Sequence, residues 1–198
     1  MKIPGLYGLV LLGGKSSRMG RDKSALIYSK VSNVDQRRRC FELLDAICEK
    51  TFVSCRSDQA SAHSVEFPVI VDSVAGEGPG AGILSAANEY PDASWLVLAC
   101  DFPFADAKAV GFLARQQSSS QPATFYVHEN QMVEPLFAVW HKPALEELRQ
   151  GFAHGDFSPR RALERIDQVL GCQRLRPPMR QALVNVNSPE ESREHGLT

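Results

Sequence analysis

The sequence predicts an α/β protein, a three-layer α/β/α sandwich around a mostly parallel sheet. Three observations carry this. Apolar runs of strand length alternate with longer segments of helical spacing, and strand–loop–helix repetition builds a parallel sheet with right-handed crossovers. One run, Trp95-Leu96-Val97-Leu98-Ala99, is apolar throughout rather than alternating, as a central parallel strand covered on both faces requires. The chain has 198 residues, 43% of them hydrophobic and 23% charged, which suffices for one buried core; a single domain over 1–198 is the expectation.

The elements follow in order. Leu6 to Leu12 is a first strand, and Gly13 to Asp22 a polar, glycine-bearing loop. Asp35 to Cys48 has helical spacing, with Phe41, Leu44, Ile47 and Cys48 as its stripe. Thr51 to Cys55 and Pro68 to Val71 are strands, the latter ending at Asp72. Ser73 to Pro79 is a Gly/Pro loop, and Ala81 to Tyr90 a helix with Ile83, Ala86, Ala87 and Tyr90 on one side. After the Trp95–Ala99 strand come Asp101 and Pro103, then a helix over Asp106 to Gln117 with Val110, Leu113 and Ala114 inward. Ala123 to His128 and Leu136 to Trp140 are strands joined by a hairpin-like segment. Pro143 to Arg149 and Pro159 to Leu170 are helices, and Leu183 to Val186 a short final strand. Gln116 to Gln121 is a surface loop, and the Arg37-Arg38-Arg39 run reads as a solvated helix face.

Composition excludes several classes. A net charge of −1 and a pI near 6.5 give no general attraction to nucleic acid or acidic membrane. The apolar run from Gly5 to Leu12 is too short for a membrane span, and no small-residue cleavage site follows it. Five cysteines, odd in number and without a C-x-x-C pair, predict free thiols and a cytoplasmic protein, not a disulfide framework or zinc site. The histidines lack ligand spacing; His128, His141 and His154 read as surface or turn residues, and Trp95 and Trp140 as core.

The segment Leu11 to Lys23, L-L-G-G-K-S-S-R-M-G-R-D-K, is the most informative. It follows a strand and so belongs at the carboxyl edge of the sheet, where ligands of such sheets bind. Gly13, Gly14 and Gly20 let backbone N–H groups approach an anion, and Lys15, Arg18 and Lys23 bring three cations, the two kinds of donor a triphosphate needs. A Walker loop would need glycine at position 9, which is Leu9, and the adjacent glycines do not fit G-x-G-x-x-G.

G-G-x-S-x-R-M-G-x-D-K resembles the nucleotidyltransferases of molybdenum cofactor synthesis, especially the molybdenum cofactor guanylyltransferases, MobA-like NTP transferases with a Rossmann-like nucleotidyltransferase sheet. Leu12 stands where the family has Ala. The resemblance implies that Leu11, Leu12 and Gly13 lie against the base and that Lys23 binds phosphate; Gly14 and Lys15 belong to the same loop's phosphate-type donors.

Asp101 follows the most buried strand, in L-A-C-D-F-P-F. Alone it reads equally as a metal ligand or as a helix cap or strand-end turn; beside a phosphate-type loop it reads as a ligand for Mg²⁺, which needs only one or two carboxylates plus phosphate oxygens and water. The match to the family's l-P-C-D-M-P-f implies the same role. Asp72, in V-I-V-D-S, is a cap on its own, and by resemblance a contact to base or ribose. Gly76 to Leu84 is similar to the family's G-P-L-A-G-I-L, with Gly80 in place of Leu; Cys55-Arg56 replaces its Asn-Arg. Glu134 to Ala138 resembles h-P-L-f-a, and Asn185-Val186-Asn187-Ser188-Pro189-Glu190 resembles N-v-N-t-P-e-d. Asn185 and Asn187, on one strand face, either hold a metal–triphosphate or bond a tight exit turn.

The resemblance implies a Mg²⁺-dependent transfer of GMP from GTP to the terminal phosphate of a molybdopterin-type cofactor, with Lys23, Arg18 and Asp101 as the catalytic groups and pyrophosphate leaving. The expected partners are these small molecules, with no nucleic acid and no membrane, in a monomer or weak homo-oligomer. One rival is a cytidylyl- or sugar-phosphate transferase, against which the R-M-G-x-D-K form argues. The other is a catalytically silent nucleotide-binding regulatory module, against which the intact Lys23 and Asp101 argue.

Overall fold

The computed structural model describes residues 1–12, 25–28, 31, 33–75, 78–186 and 188–197. Its strands are β1 (Ile3–Leu11), β2 (Cys48–Cys55), β3 (Val69–Val71), β4 (Ser94–Ala99), β5 (Ala123–Val127), β6 (Val133–Trp140) and β7 (Gln173–Leu175). Its helices are α1 (Gln36–Asp45), α2 (Ala60–His63), α3 (Pro79–Glu89), α4 (Ala107–Gln116), α5 (Lys142–Ala153), α6 (Pro159–Leu170) and α7 (Pro189–Glu194). The strands form one sheet in the order β3-β2-β1-β4-β6-β5-β7. Only β6 runs against the rest, pairing antiparallel with both β4 and β5.

The sheet is covered on both faces, giving the three layers. α1 and α4 pack together on one face; α3, α5 and α6 pack on the other. Two positions of β1 with opposite parity illustrate this. A side chain at Gly8 would run into Leu44 of α1, whereas Leu11, of opposite parity, lies under Gly82 of α3. Trp95 and Trp140 are fully buried, and Tyr7, Phe52, Tyr90 and Trp95 form an aromatic cluster under α3. The three centroid spacings to Trp95, and that between Phe52 and Tyr90, fall between 5.0 and 6.2 Å, within the range of favourable ring pairs.

Helix boundaries follow local chemistry. Asp35, Asp106 and Ser158 cap α1, α4 and α6 by accepting from Arg38, Ala109 and Arg161 N–H. The periodic stripe of α4, Val110, Leu113 and Ala114, is buried as expected.

Four sequence expectations need correction. The helix expected to reach Cys48 ends at Asp45, and Cys48 opens β2. Leu183–Val186 is not a strand: Arg180–Leu183 is a 3₁₀ turn, Val184 to Val186 are irregular, and Val186 N–H bonds the Asp101 carbonyl past the end of β4. The arginine run is not a solvated face. Arg37 bonds Asp35 and contacts His63, Arg38 pairs with Glu66, and Arg39 donates to the Ala105 carbonyl. His141 is buried at the start of α5, against the Ser94 hydroxyl.

Candidate active site

Strand order reverses between β1 and β4: from β1 the chain winds outward through β2 and β3, then α3 carries it back to the far side of β1. Such a reversal opens a crevice at the carboxyl ends of the two strands. Leu11 and Leu12 close one side of it and Asp101 the other. Leu11 sits in register with Ala99 on β4 and Ser54 on β2, and the ladder extends one step further, with Cys100 N–H donating to the Leu11 carbonyl at 3.0 Å. Both leucines are buried.

The Asp101 segment is pinned from three directions. β1 holds Cys100 N–H. From α1, the buried Gln36 amide donates to the Cys100 carbonyl at 3.3 Å. From the C-terminal segment, Val186 N–H donates to the Asp101 carbonyl at 2.9 Å. Arg39 adds a fourth tie at Ala105, and burial pushes its guanidinium below its ordinary value. The Asp101 carboxylate accepts from Asn185 Nδ2 at 2.8 Å. Asn185 Oδ1 is buried and has no hydrogen-bond partner among the described residues. Tyr28 packs nearby with Val186 and Leu197; burial first, then the Asp101 charge, pushes its hydroxyl up.

A second cluster lies across β1. Asp72 extends the β2–β3 ladder, its N–H donating to the Cys55 carbonyl at 2.9 Å. Its Oδ1 accepts from Ser54 Oγ at 2.7 Å. Burial pushes the Asp72 carboxyl above its ordinary range, against the Ser54 hydrogen bond and the Arg56 charge, which pull it down. Ser85 of α3 fastens the loop behind, accepting from Ser73 and Val74 N–H and donating to the Ala81 carbonyl. Gly80, where the family has Leu, lies against Phe152, whose ring a Cβ would approach to 2.8 Å.

The structure therefore brings Leu11, Leu12, Asp72, Asp101 and Asn185 to one edge of the sheet. Gly13, Gly14, Lys15, Arg18, Gly20, Asp22 and Lys23 lie outside the described residues, as do Gly76, Glu77 and Asn187. Sequence reading missed Ser54, Gln36 and Arg39. Ser54 and Gln36 carry a readable signal, a polar side chain within an otherwise apolar strand or at an inward helix position. Among the described residues no three His, Cys, Asp or Glu side chains gather as a metal cluster, and no helix is long and apolar enough to cross a membrane. All five cysteines are free thiols, and burial pushes Cys48 and Cys172 up to about 12.

The sheet order and its switch point between β1 and β4 define a doubly wound α/β protein. The chain belongs to the MobA-like NTP transferase domain family, whose model matches residues 8–190. It is a nucleotidyltransferase similar to the molybdenum cofactor guanylyltransferases. The guanylyltransferase of Pseudomonas putida is 30% identical over 184 residues, 92% of this chain and 93% of that protein. A molybdenum cofactor biosynthesis bifunctional protein of Synechocystis is 34% identical over 188 residues, 94% of this chain; the chain spans only 52% of that relative's length. In fold, the chain superposes on a molybdopterin-guanine dinucleotide biosynthesis protein A from Archaeoglobus fulgidus with a TM-score of 0.76, at 24% identity and 95% coverage of both chains.

Proposed function

We propose that this chain transfers GMP from GTP to the terminal phosphate of a molybdopterin-type acceptor, with Mg²⁺ bound at Asp101 and release of pyrophosphate. The observation that carries the reading is the Asp101–Asn185 pair at the crevice between β1 and β4. A carboxylate and an amide oxygen there suit a hard cation, and Oδ1 of Asn185, buried and without a hydrogen-bond partner among the described residues, is the atom a cation or its water would satisfy. Asp101 and Asn185 would hold Mg²⁺, which supplies positive charge to phosphate oxygens.

The remaining roles belong to the chain's own residues. Leu11 and Leu12 give the base an apolar wall, and Asp72 accepts hydrogen bonds from the nucleoside. The glycine-bearing loop would offer backbone N–H groups to phosphate, and its cations Lys15, Arg18 and Lys23 would neutralise charge on the triphosphate and the departing pyrophosphate. By its place in the N-V-N motif, Asn187 would join Asn185 in holding the metal–triphosphate. An acceptor phosphate oxygen attacks the α-phosphorus as the bond to pyrophosphate breaks. That oxygen is already anionic, so the site needs position and charge rather than a strong base. The chain would do this as a single domain, in the cytoplasm.

Pyrophosphate release tests the reading, with each of the four nucleoside triphosphates, with and without pterin acceptor. Release is expected with GTP and acceptor together. Release with CTP instead would keep the reaction class and change the base. Tight GTP binding without release under any condition would make the chain a nucleotide-binding module.

A further inference from the structure

The geometry points to Ser54 as a positioning residue that fixes the Asp72 carboxylate for recognition of the nucleoside, an inference resting on the proposed nucleotide site. Ser54 belongs to β2, one residue before its end, and is buried. Its side chain shares a space with Leu11 of β1, Asp72 after β3 and Gly82 of α3. A Cβ built on Gly82 would lie 2.3 Å from Ser54 Oγ and 3.2 Å from both Asp72 Oδ1 and Leu11 Cδ2. The helix therefore closes directly over the Ser54–Asp72 hydrogen bond, and only glycine allows it to.

The consequence is directional. Asp72 N–H donates to the Cys55 carbonyl and Oδ1 accepts a hydrogen bond from Ser54 Oγ, so the carboxylate's direction is set from β2 through both backbone and side chain. Oδ2 makes no hydrogen bond among the described residues and belongs to a half-buried side chain just past the carboxyl end of β3. An acceptor oxygen fixed in this way suits N–H or O–H donors of a nucleoside and does nothing for phosphate. Ser54 also opposes the burial that favours the protonated carboxyl. A neutral Asp72 would present a donor where an acceptor is needed.

Calorimetric titration of GTP into wild type, Ser54→Ala, Asp72→Ala and the double variant tests this, with thermal melts to verify folding. Ser54→Ala should weaken GTP about tenfold, the scale of a hydrogen bond to a charged group. Asp72→Ala should weaken it at least as much, and the double variant no further than Asp72→Ala. Wild-type affinity in Ser54→Ala would overturn the assignment. So would a double variant weaker than Asp72→Ala by the full Ser54→Ala factor, because Ser54 would then act without Asp72. If wild type binds no nucleoside triphosphate, the proposed function fails and this inference with it. If it binds another triphosphate, the same cycle on that nucleotide decides.

Discussion

Asp101 is held by its backbone as firmly as by its side chain. Its own carbonyl is tied to Val186, and the peptide before it to Leu11 and Gln36, so the direction in which the carboxylate leaves the sheet does not depend on the carboxylate's charge. Asp101→Asn should therefore keep the fold. The amide oxygen introduced by that substitution can still accept from the Asn185 side chain, and the melting temperature should stay within a few degrees of wild type. Turnover should fall by about 100-fold or more, on the scale of losing one preorganised stabilising group, because an amide carries no charge to a metal. Pyrophosphate release by a variant with a normal melt measures this; a wild-type rate would remove the metal role from Asp101. Asp101 itself was legible, as an acid directly after the most apolar run. The ties that aim it were not, because Gln36 is 65 residues away in sequence and Val186 is 85, and neither sits in a motif that names its partner.

At the scale of elements, the close approach of α3 to the sheet depends on what glycine leaves out. Gly82→Ala places a Cβ against Ser54 Oγ at a separation real atoms do not reach, with Asp72 and Leu11 leaving little room to move. We expect a loss of about 1–3 kcal/mol, the usual cost of overfilling a packed site, read as a lower urea midpoint at unchanged slope. Removing the hydroxyl in the Ser54→Ala/Gly82→Ala pair should recover part of it, since the two changes share one space. Simple addition of the two effects would show that α3 can shift without disturbing the pair. Elements with a strong period or a continuous apolar run were legible: β4, α4 and α6 fall within a residue of expectation. β7 was not, because it is a polar edge strand with alternating half-exposed residues, and edges are kept polar to prevent further pairing. Leu183–Val186 misled in the opposite way. It has the residues of a strand, but Val184 N–H turns back to the Gln181 carbonyl and Val186 N–H reaches the Asp101 carbonyl past the end of β4, so no ladder forms among the described residues.

For the whole molecule, alternation of strand and helix was enough to give the class of fold and to single out the edge proposed for the ligand. The place of the crevice along that edge was not in the pattern, since the strand order that creates it is a matter of tertiary packing. The opposite edge makes a separate prediction about acid stability. His141 lies there, buried between the start of α5 and Ser94, whose hydroxyl is 2.7 Å from Nδ1. Nε2 is buried without a hydrogen-bond partner among the described residues, and burial lowers the ring's pKa below the ordinary 6.5. The unfolded chain therefore takes up a proton at this ring before the folded chain does. The contribution of His141 is complete above that ordinary value and is lost as pH falls from there toward the folded value. The carboxylate held down by Arg161 and Arg165, Asp156, acts in a separate and more acidic window, below its ordinary 3.8. The urea midpoint of wild type should thus fall between about pH 7 and pH 5, and His141→Gln, neutral throughout and able to reach Ser94, should fall less over the same range. The variant's stability at neutral pH is immaterial, because the slope is the readout. An unchanged slope would place the near-neutral titration on another group.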